Sequence, residues 1–293
     1  MQGIYLPLMT PFSPQGALQL EKIPAMVEHH IRQGVDGFYI GGSSSECFMM
    51  SVEERQLVFS AVASANKGRV PLIAHVGAIA LHDVKRLIDS AVTYGYDAIS
   101  ATPPFYYGFT KAEVEHYYRT IAQYSQLPLL LYNIPGTTGV SFSHQELIEL
   151  SQLDNVVGIK HTTNDMFFVE RLRNSLPESI IFHGEDTMLV NGLQMGASGG
   201  IGSTYNLMSA QYVAIYQSMV GGDIQRAFEV QKQVNRMTEV LLDVGVYQGI
   251  KYAMGILGID YGVCREPFLP LDASQEQKIK QALETLNIKG FIE

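Results

Sequence analysis

The run Asn155-Val156-Val157-Gly158-Ile159-Lys160 decides how this chain is read. It is short and almost wholly apolar, with a polar turn before it and His161-Thr162-Thr163 after it, which predicts a buried strand of a parallel sheet carrying an ammonium group at its C-terminal tip. Desolvation at such a tip disfavours the charged form and favours the neutral amine, which is the form able to attack a ketone and build a Schiff base. The alternative for a strand-end lysine is a side chain that reaches solvent or pairs with a carboxylate. The surrounding pattern decides between the two.

Outward from this strand the chain alternates short apolar runs with longer amphipathic ones. Strands are expected at residues 4–9, 37–40, 71–75, 97–101, 129–132, 155–160, 180–184 and 199–203. Between them lie helical stripes such as Ile23, Met26, Val27, His30 and Ile31; Leu57, Val58, Ala61 and Val62; and Val84, Leu87, Ile88, Ala91 and Val92. Three helices are announced by capping boxes, Ser51 with Glu54, Thr110 with Glu113 and Ser143 with Glu146. Eight strands alternating with helices through short loops predict an α/β fold, a parallel (β/α)8 barrel over residues 1–222. Residues 223–293 read as an appended three-helix layer, with helices over 227–244, 246–257 and 274–286. No low-complexity linker separates the two, so a single unit is expected.

With 46% hydrophobic and 17% charged residues, the 293-residue chain can bury a large core. Its net charge of −9 and lack of any basic block argue against nucleic acid as a partner. Cys47 and Cys264 match no metal spacing and suggest a reduced protein without a disulfide framework. The N-terminal residues lack a signal-like stretch and the long uncharged run over 188–222 is too polar to span a membrane, so a cytoplasmic protein with no membrane partner is expected.

In a barrel of this type the C-terminal strand ends converge on one mouth. Strand two then delivers Ser43 and Ser44, strand five Tyr132, strand six Lys160, strand seven Asp186 just past its end, and strand eight Gly202 and Ser203. An amine, a phenol, hydroxyls and a glycine-rich loop around one cavity suit a small keto acid. No His/Asp/Glu metal set accompanies them, which favours a Schiff base over metal-assisted chemistry, with no cofactor or metal expected. His161 and His183 could move protons, Glu46 reads better as a structural hydrogen-bond partner, and Cys47 as buried filler. A phosphate-binding isomerase barrel would need a basic clamp after strands seven and eight, which is not evident.

The blocks Gly42-Ser43-Ser44-Ser45-Glu46, Tyr132-Asn133-Ile134-Pro135, Gly158-Ile159-Lys160 and Gly199-Gly200-Ile201-Gly202-Ser203-Thr204-Tyr205-Asn206 resemble the signature blocks of the N-acetylneuraminate lyase and dihydrodipicolinate synthase superfamily, nearly end to end. The resemblance implies a TIM barrel assembled as a homotetramer and a class I pyruvate aldolase. In that reading Lys160 forms the Schiff base and Tyr132 is the acid/base. Ser43 and Ser44 hold the carboxylate and polarise the phenol, which makes Ser44 part of the catalytic set. It further implies Thr162, Gly184, Asp186, Thr187 and Ser203 as substrate-binding residues, together with Tyr106, from a loop whose tyrosine reaches a neighbouring subunit's site in the family.

Departures from the family pattern rank its branches. Synthases typically carry an arginine two residues after the proline of the Tyr-Asn-x-Pro block, where this chain has Thr137. A dicarboxylic product would thereby lose a charge-assisted contact worth about 1.5–3 kcal/mol, which places the lyase reading, sialic acid cleaved to N-acetylmannosamine and pyruvate, first. Aldolases for other 2-keto-3-deoxy sugar acids come next, then the synthase; a keto-acid-binding paralogue without turnover is the alternative of a different class. The lyases usually read Gly-x-Asp-Glu after strand seven, but here it is Gly184-Glu185-Asp186-Thr187. Ser45 also stands where a glycine is usual, which matters if that position needs positive φ.

Overall fold

The computed structural model describes residues 1–286 and Ile288. Eight strands close into one barrel in chain order, every neighbouring pair parallel, the last pairing with the first. They are β1 (Gly3–Leu6), β2 (Gly37–Ile40), β3 (Leu72–His75), β4 (Ala98–Ala101), β5 (Leu129–Asn133), β6 (Val156–His161), β7 (Ile180–His183) and β8 (Gly199–Gly200). Around them run α1 (Ile23–Arg32), α2 (Val52–Asn66), α3 (Leu81–Thr93), α4 (Lys111–Tyr124), the single turn α5 (Pro135–Thr138), α6 (His144–Ser151), α7 (Met166–Ser175), α8 (Leu189–Gln194) and α9 (Tyr205–Val220). The TIM barrel expected from the alternation of elements is present, and all three capping boxes form. A fourth, Asp272 with Gln275, opens the last helix.

Strand ends differ from expectation where the backbone cannot continue the ladder. β1 stops at Leu6 because Pro7 has no N–H to donate, although Leu8 and Met9 stay buried. β8 is cut short where the chain turns at Gly202 and Ser203 into α9. Two residues assigned to inward helix stripes face out: Leu57 is 51% and Val92 38% exposed. The buried row of α2 is Arg55, Val58, Phe59 and Val62, so Leu57 lies one step off it, and Val92 sits at the edge of the row Val84, Leu87, Ile88 and Ala91.

Two cores result. One lies between the barrel and its helices, and a smaller one fills the barrel with Tyr5, Tyr39, Ile73, Ala98, Leu130, Tyr132, Phe182 and Ile201. Register places Tyr132 directly beside Lys160, and Lys160 beside Phe182, so the lysine enters the mouth from the top of an apolar, aromatic plug.

After the barrel come α10 (Ile224–Val244), α11 (Val246–Ile256) and α12 (Ala273–Thr285). The expected layer ran to residue 293; residues 287 and 289–293 lie outside those described. These helices are tied into the barrel mouth. Lys251 of α11 donates to Glu46 Oε1 at 2.6 Å, to the Thr10 carbonyl at 2.7 Å and to the Val263 carbonyl at 2.8 Å, which uses all three ammonium protons. Arg265 grips Glu54, Gly16 and Met49. Glu46 is therefore the structural partner its sequence context suggested. No helix among the described residues is long and apolar enough to cross a membrane.

Candidate active site

Strand parity sets up the centre. Tyr39, Tyr132 and Lys160 occupy inward positions near the ends of β2, β5 and β6. The Lys160 Nζ lies 3.8 Å from the Tyr132 ring centroid and 4.4 Å from that of Tyr39. The two tyrosine rings meet edge to face at 6.0 Å, and His75, fixed by the Gly41 carbonyl at 2.9 Å, stands edge-on to Tyr132. Ring faces attract a cation but solvate it less than water does, and the lysine is only 5% exposed. Burial lowers its pKa to about 7, against the partial support of Asp186 and Cys47. At neutral pH a large share of Lys160 is thus free amine and nucleophilic.

Burial acts on the Tyr132 phenol in the opposite sense and raises its pKa to about 12, while the Ser43 and Thr162 hydroxyls beside it pull it back down. The resting phenol is neutral. Thr162 Oγ1 has no other partner among the described residues, and a side chain at Gly184 would overlap it, so glycine is needed there for β6 and β7 to bring their ends this close. The Ser44 hydroxyl is 2.7 Å from that of Ser203, which joins the loops after β2 and β8 across the mouth.

The β2 loop folds Ser43–Ser45 into a 3-10 turn, and its positive φ falls on Glu46, at 59°, rather than on Ser45. Ser45 is accommodated without strain: its hydroxyl donates to the Leu8 carbonyl at 2.5 Å and accepts from Gly41 N–H at 3.2 Å. The unfavourable conformation is borne by Glu46, which Lys251 and the Arg265 N–H hold in place.

Asp186 is buried with its pKa raised to about 6 by desolvation. Its Oδ2 accepts from both the backbone N–H and the hydroxyl of Thr204, each at 2.7 Å, and a side chain at Gly202 would overlap Oδ1. Much of its bonding capacity is spent on shaping the turn into α9. Thr187 is half-buried and donates to Glu185 Oε1 at 2.8 Å.

Two neighbouring recesses open at the mouth. One, about 220 Å³, is bounded by Ser43, Cys47, Phe48, Phe105, Thr137 and Thr138. The other, about 450 Å³, is bounded by Glu185, Asp186, Thr187, Ser203, Thr238 and Gln248. Tyr247 and Phe268 belong to both and form the partition between them. Burial raises the Tyr247 pKa to about 12 against its bond to Ser203.

The structure thus brings Ser43, Ser44, Tyr132, Lys160, Thr162, Gly184, Asp186, Thr187 and Ser203 to one mouth. Tyr106 is not brought there within the chain: with φ at +80° and 84% exposure it points away, into a groove along α4. His161 and His183 are buried and held neutral, each with its pKa lowered to about 4 by desolvation; His183 packs on Gly192 of α8. Cys47 is buried beside the centre with its thiol pushed up, and Cys264 is free. Among the described residues no three His, Cys, Asp or Glu side chains gather as metal ligands.

Sequence reading missed Tyr39, Tyr247, Phe268 and Glu185. Tyr39 shares the parity of Lys160 and could have been found from it. Tyr247 and Phe268 arrive through tertiary docking of the last helices, which leaves no local signal.

The dihydrodipicolinate synthetase family model matches residues 1–286. The chain is 44% identical to the N-acetylneuraminate lyase of Rhizobium meliloti (strain 1021), over 97% of this chain and 94% of that protein. Among solved structures it is similar to the Clostridium difficile protein CdNal in complex with mannosamine, at 34% identity and TM-score 0.95, covering 98% of this chain and 99% of the other. It is also similar to the N-acetylneuraminate lyase of Fusobacterium nucleatum complexed with pyruvate, at 34% identity and TM-score 0.93, covering 98% and 97%.

Proposed function

The chain belongs to the dihydrodipicolinate synthetase family, and from that premise we propose that it is a class I pyruvate aldolase that cleaves N-acetylneuraminate to N-acetylmannosamine and pyruvate through a Schiff base on Lys160. The observation that carries this reading is the Lys160 amine, buried against two tyrosine rings with its pKa near 7, beside a phenol on the neighbouring strand.

The neutral amine adds to the C2 ketone of the open-chain sugar acid. The Tyr132 phenol gives a proton to the departing hydroxyl, so water leaves and an iminium cation remains. The phenolate so formed is stabilised by that new fixed cation and by Ser43 and Thr162. It takes the C4 hydroxyl proton as the C3–C4 bond breaks; the bonding pair flows into the iminium to give an enamine, and the aldehyde departs. Protonation at C3 and addition of water to the iminium release pyruvate and restore the amine. Ser43, Ser44 and nearby backbone N–H groups suit the substrate carboxylate, and the 450 Å³ recess suits the sugar tail.

The lyase reading is favoured over the synthase by Thr137, which lines the smaller recess and leaves it without a cation for a second carboxylate. A homotetramer, with Tyr106 reaching a second copy, belongs to the same proposal.

Borohydride reduction in the presence of N-acetylneuraminate, read by intact mass and peptide mapping, tests the reading. A pyruvate-sized adduct on the Lys160 peptide is expected. If pyruvate alone traps but the sugar acid does not, the aldehyde half is a different one; if neither traps, the aldolase reading fails.

A further inference from the structure

We propose that His75 is a positioning residue for the aldolase reaction: by clamping the Gly41 carbonyl it sets the loop that presents Ser43 and Ser44 to the substrate carboxylate, a role that rests on the aldolase reading above.

The loop leaves β2 through two consecutive glycines, Gly41 and Gly42, and Gly41 takes φ at +74°. Glycine leaves the backbone more freedom than any other residue, so a serine pair carried beyond two of them needs an outside hold. Gly41 is gripped on both of its polar groups. Its N–H donates to Ser45 Oγ at 3.2 Å within the loop, and its carbonyl accepts from His75 Nδ1 at 2.9 Å. The second bond crosses to the end of β3 and is anchored in the barrel wall.

The imidazole is set to hold that carbonyl and not to move a proton. A carbonyl only accepts and a backbone N–H only donates, so Nδ1 carries the proton toward Gly41 and Nε2 accepts from the Thr102 N–H at 3.3 Å. Gly77 keeps that side open, since a side chain there would overlap both Nε2 and Thr102 Oγ1. Both ring nitrogens are thus spent. Buried Arg55 donates to the His75 carbonyl at 2.6 Å and to the Gly77 carbonyl at 3.0 Å. Its guanidinium also lies 3.4 Å from Nδ1, so a second ring proton would set two cations together in the interior. The ring packs against Tyr39 and Tyr132, each with centroids 6.0 Å away, so one side chain registers the serine loop against the two tyrosines around Lys160.

The test compares His75→Phe, His75→Asn and His75→Gln with the wild type by the pyruvate concentration that half-saturates borohydride trapping on Lys160. His75→Phe keeps a ring against the tyrosines and removes both bonds. His75→Asn can present an N–H where Nδ1 stands, and His75→Gln reaches only the Nε2 position. Misplaced serines predict a half-saturating concentration raised about 10- to 100-fold in His75→Phe, with the trapping rate at saturation within about threefold of wild type. His75→Asn should return to within about threefold of the wild-type concentration, while His75→Gln should stay with His75→Phe. Should His75→Phe fail to fold, the contrast between His75→Asn and His75→Gln carries the same decision.

Half-saturation of His75→Phe within about twofold of wild type would overturn the proposal. So would equal losses in all three variants, which would mark a merely structural role, or a rescue by His75→Gln as complete as that by His75→Asn, which would shift the role to the Thr102 bond. A wild type that traps no pyruvate would remove the aldolase reading and this role with it, whereas a trapping wild type matched by His75→Phe removes this role alone.

Discussion

Replacing Lys160 with methionine should make the protein more stable while abolishing turnover. In the unfolded chain this lysine keeps its proton up to about pH 10.5, whereas in the fold it gives the proton up near 7. The unfolded state therefore binds more protons between those values, and wild-type stability rises with pH across that window. At about 1.4 kcal/mol per pKa unit, the buried amine costs about 5 kcal/mol below pH 6, about 4 at pH 7 and about 2 at pH 9. Methionine has similar length and no charge to desolvate. Asp186 loses its cationic neighbour in the exchange, so the net gain at pH 7 should be about 2–4 kcal/mol, or about 4–8 °C in Tm for a chain of this size. Urea unfolding at pH 6, 7 and 9 measures it. A variant no more stable than wild type, or an advantage that fails to shrink between pH 7 and 9, would refute the claim that desolvation tunes this amine. The same titration should appear in function, with the rate of pyruvate trapping rising with pH through about 7 as the free amine accumulates.

Two further substitutions probe the proton carrier and the strut beneath the loop. Tyr132→Phe should lower turnover by about 10²- to 10⁴-fold while borohydride still traps pyruvate on Lys160, and turnover within about tenfold of wild type would remove the phenol from the mechanism. Lys251→Met strands the Glu46 carboxylate, whose side chain has 0% exposure, and should cost about 3–5 kcal/mol in urea unfolding, most of it recovered by adding Glu46→Gln. A loss below about 1 kcal/mol in the single variant would show that the pair is dispensable.

How legible this was in the sequence follows from the range of each interaction. Apolar runs and capping boxes are local, so the eight strands and most helices could be read directly, and strand order follows from alternation because short crossovers force parallel neighbours. Lys160 and Tyr132 were legible because both sit at strand tips, where barrel geometry alone converges them. Ser45 shows the limit of that reading. Whether it needed positive φ depended on where one turn ends, and the structure moves that burden to Glu46, which can bear it only because Lys251 comes from 205 residues away. Tyr247 and Phe268, which divide the cavity, were invisible for the same reason.

Asp186 shows why residue type is a poor guide to role even at the right place. An aspartate at the rim of a sugar pocket suggests a ligand for hydroxyls, yet here it is drawn to the two donors of Thr204, a competition settled by distances and not by composition. That restraint also serves the chemistry. Held by Thr204, Asp186 reaches Lys160 only through its field, which raises the lysine pKa slightly against a larger desolvation. In direct contact it would form an ion pair, keep the amine protonated at neutral pH and remove the nucleophile. The pKa near 7 is therefore set first by burial of the amine, and Thr204, by holding the carboxylate back, keeps Asp186 from cancelling that effect.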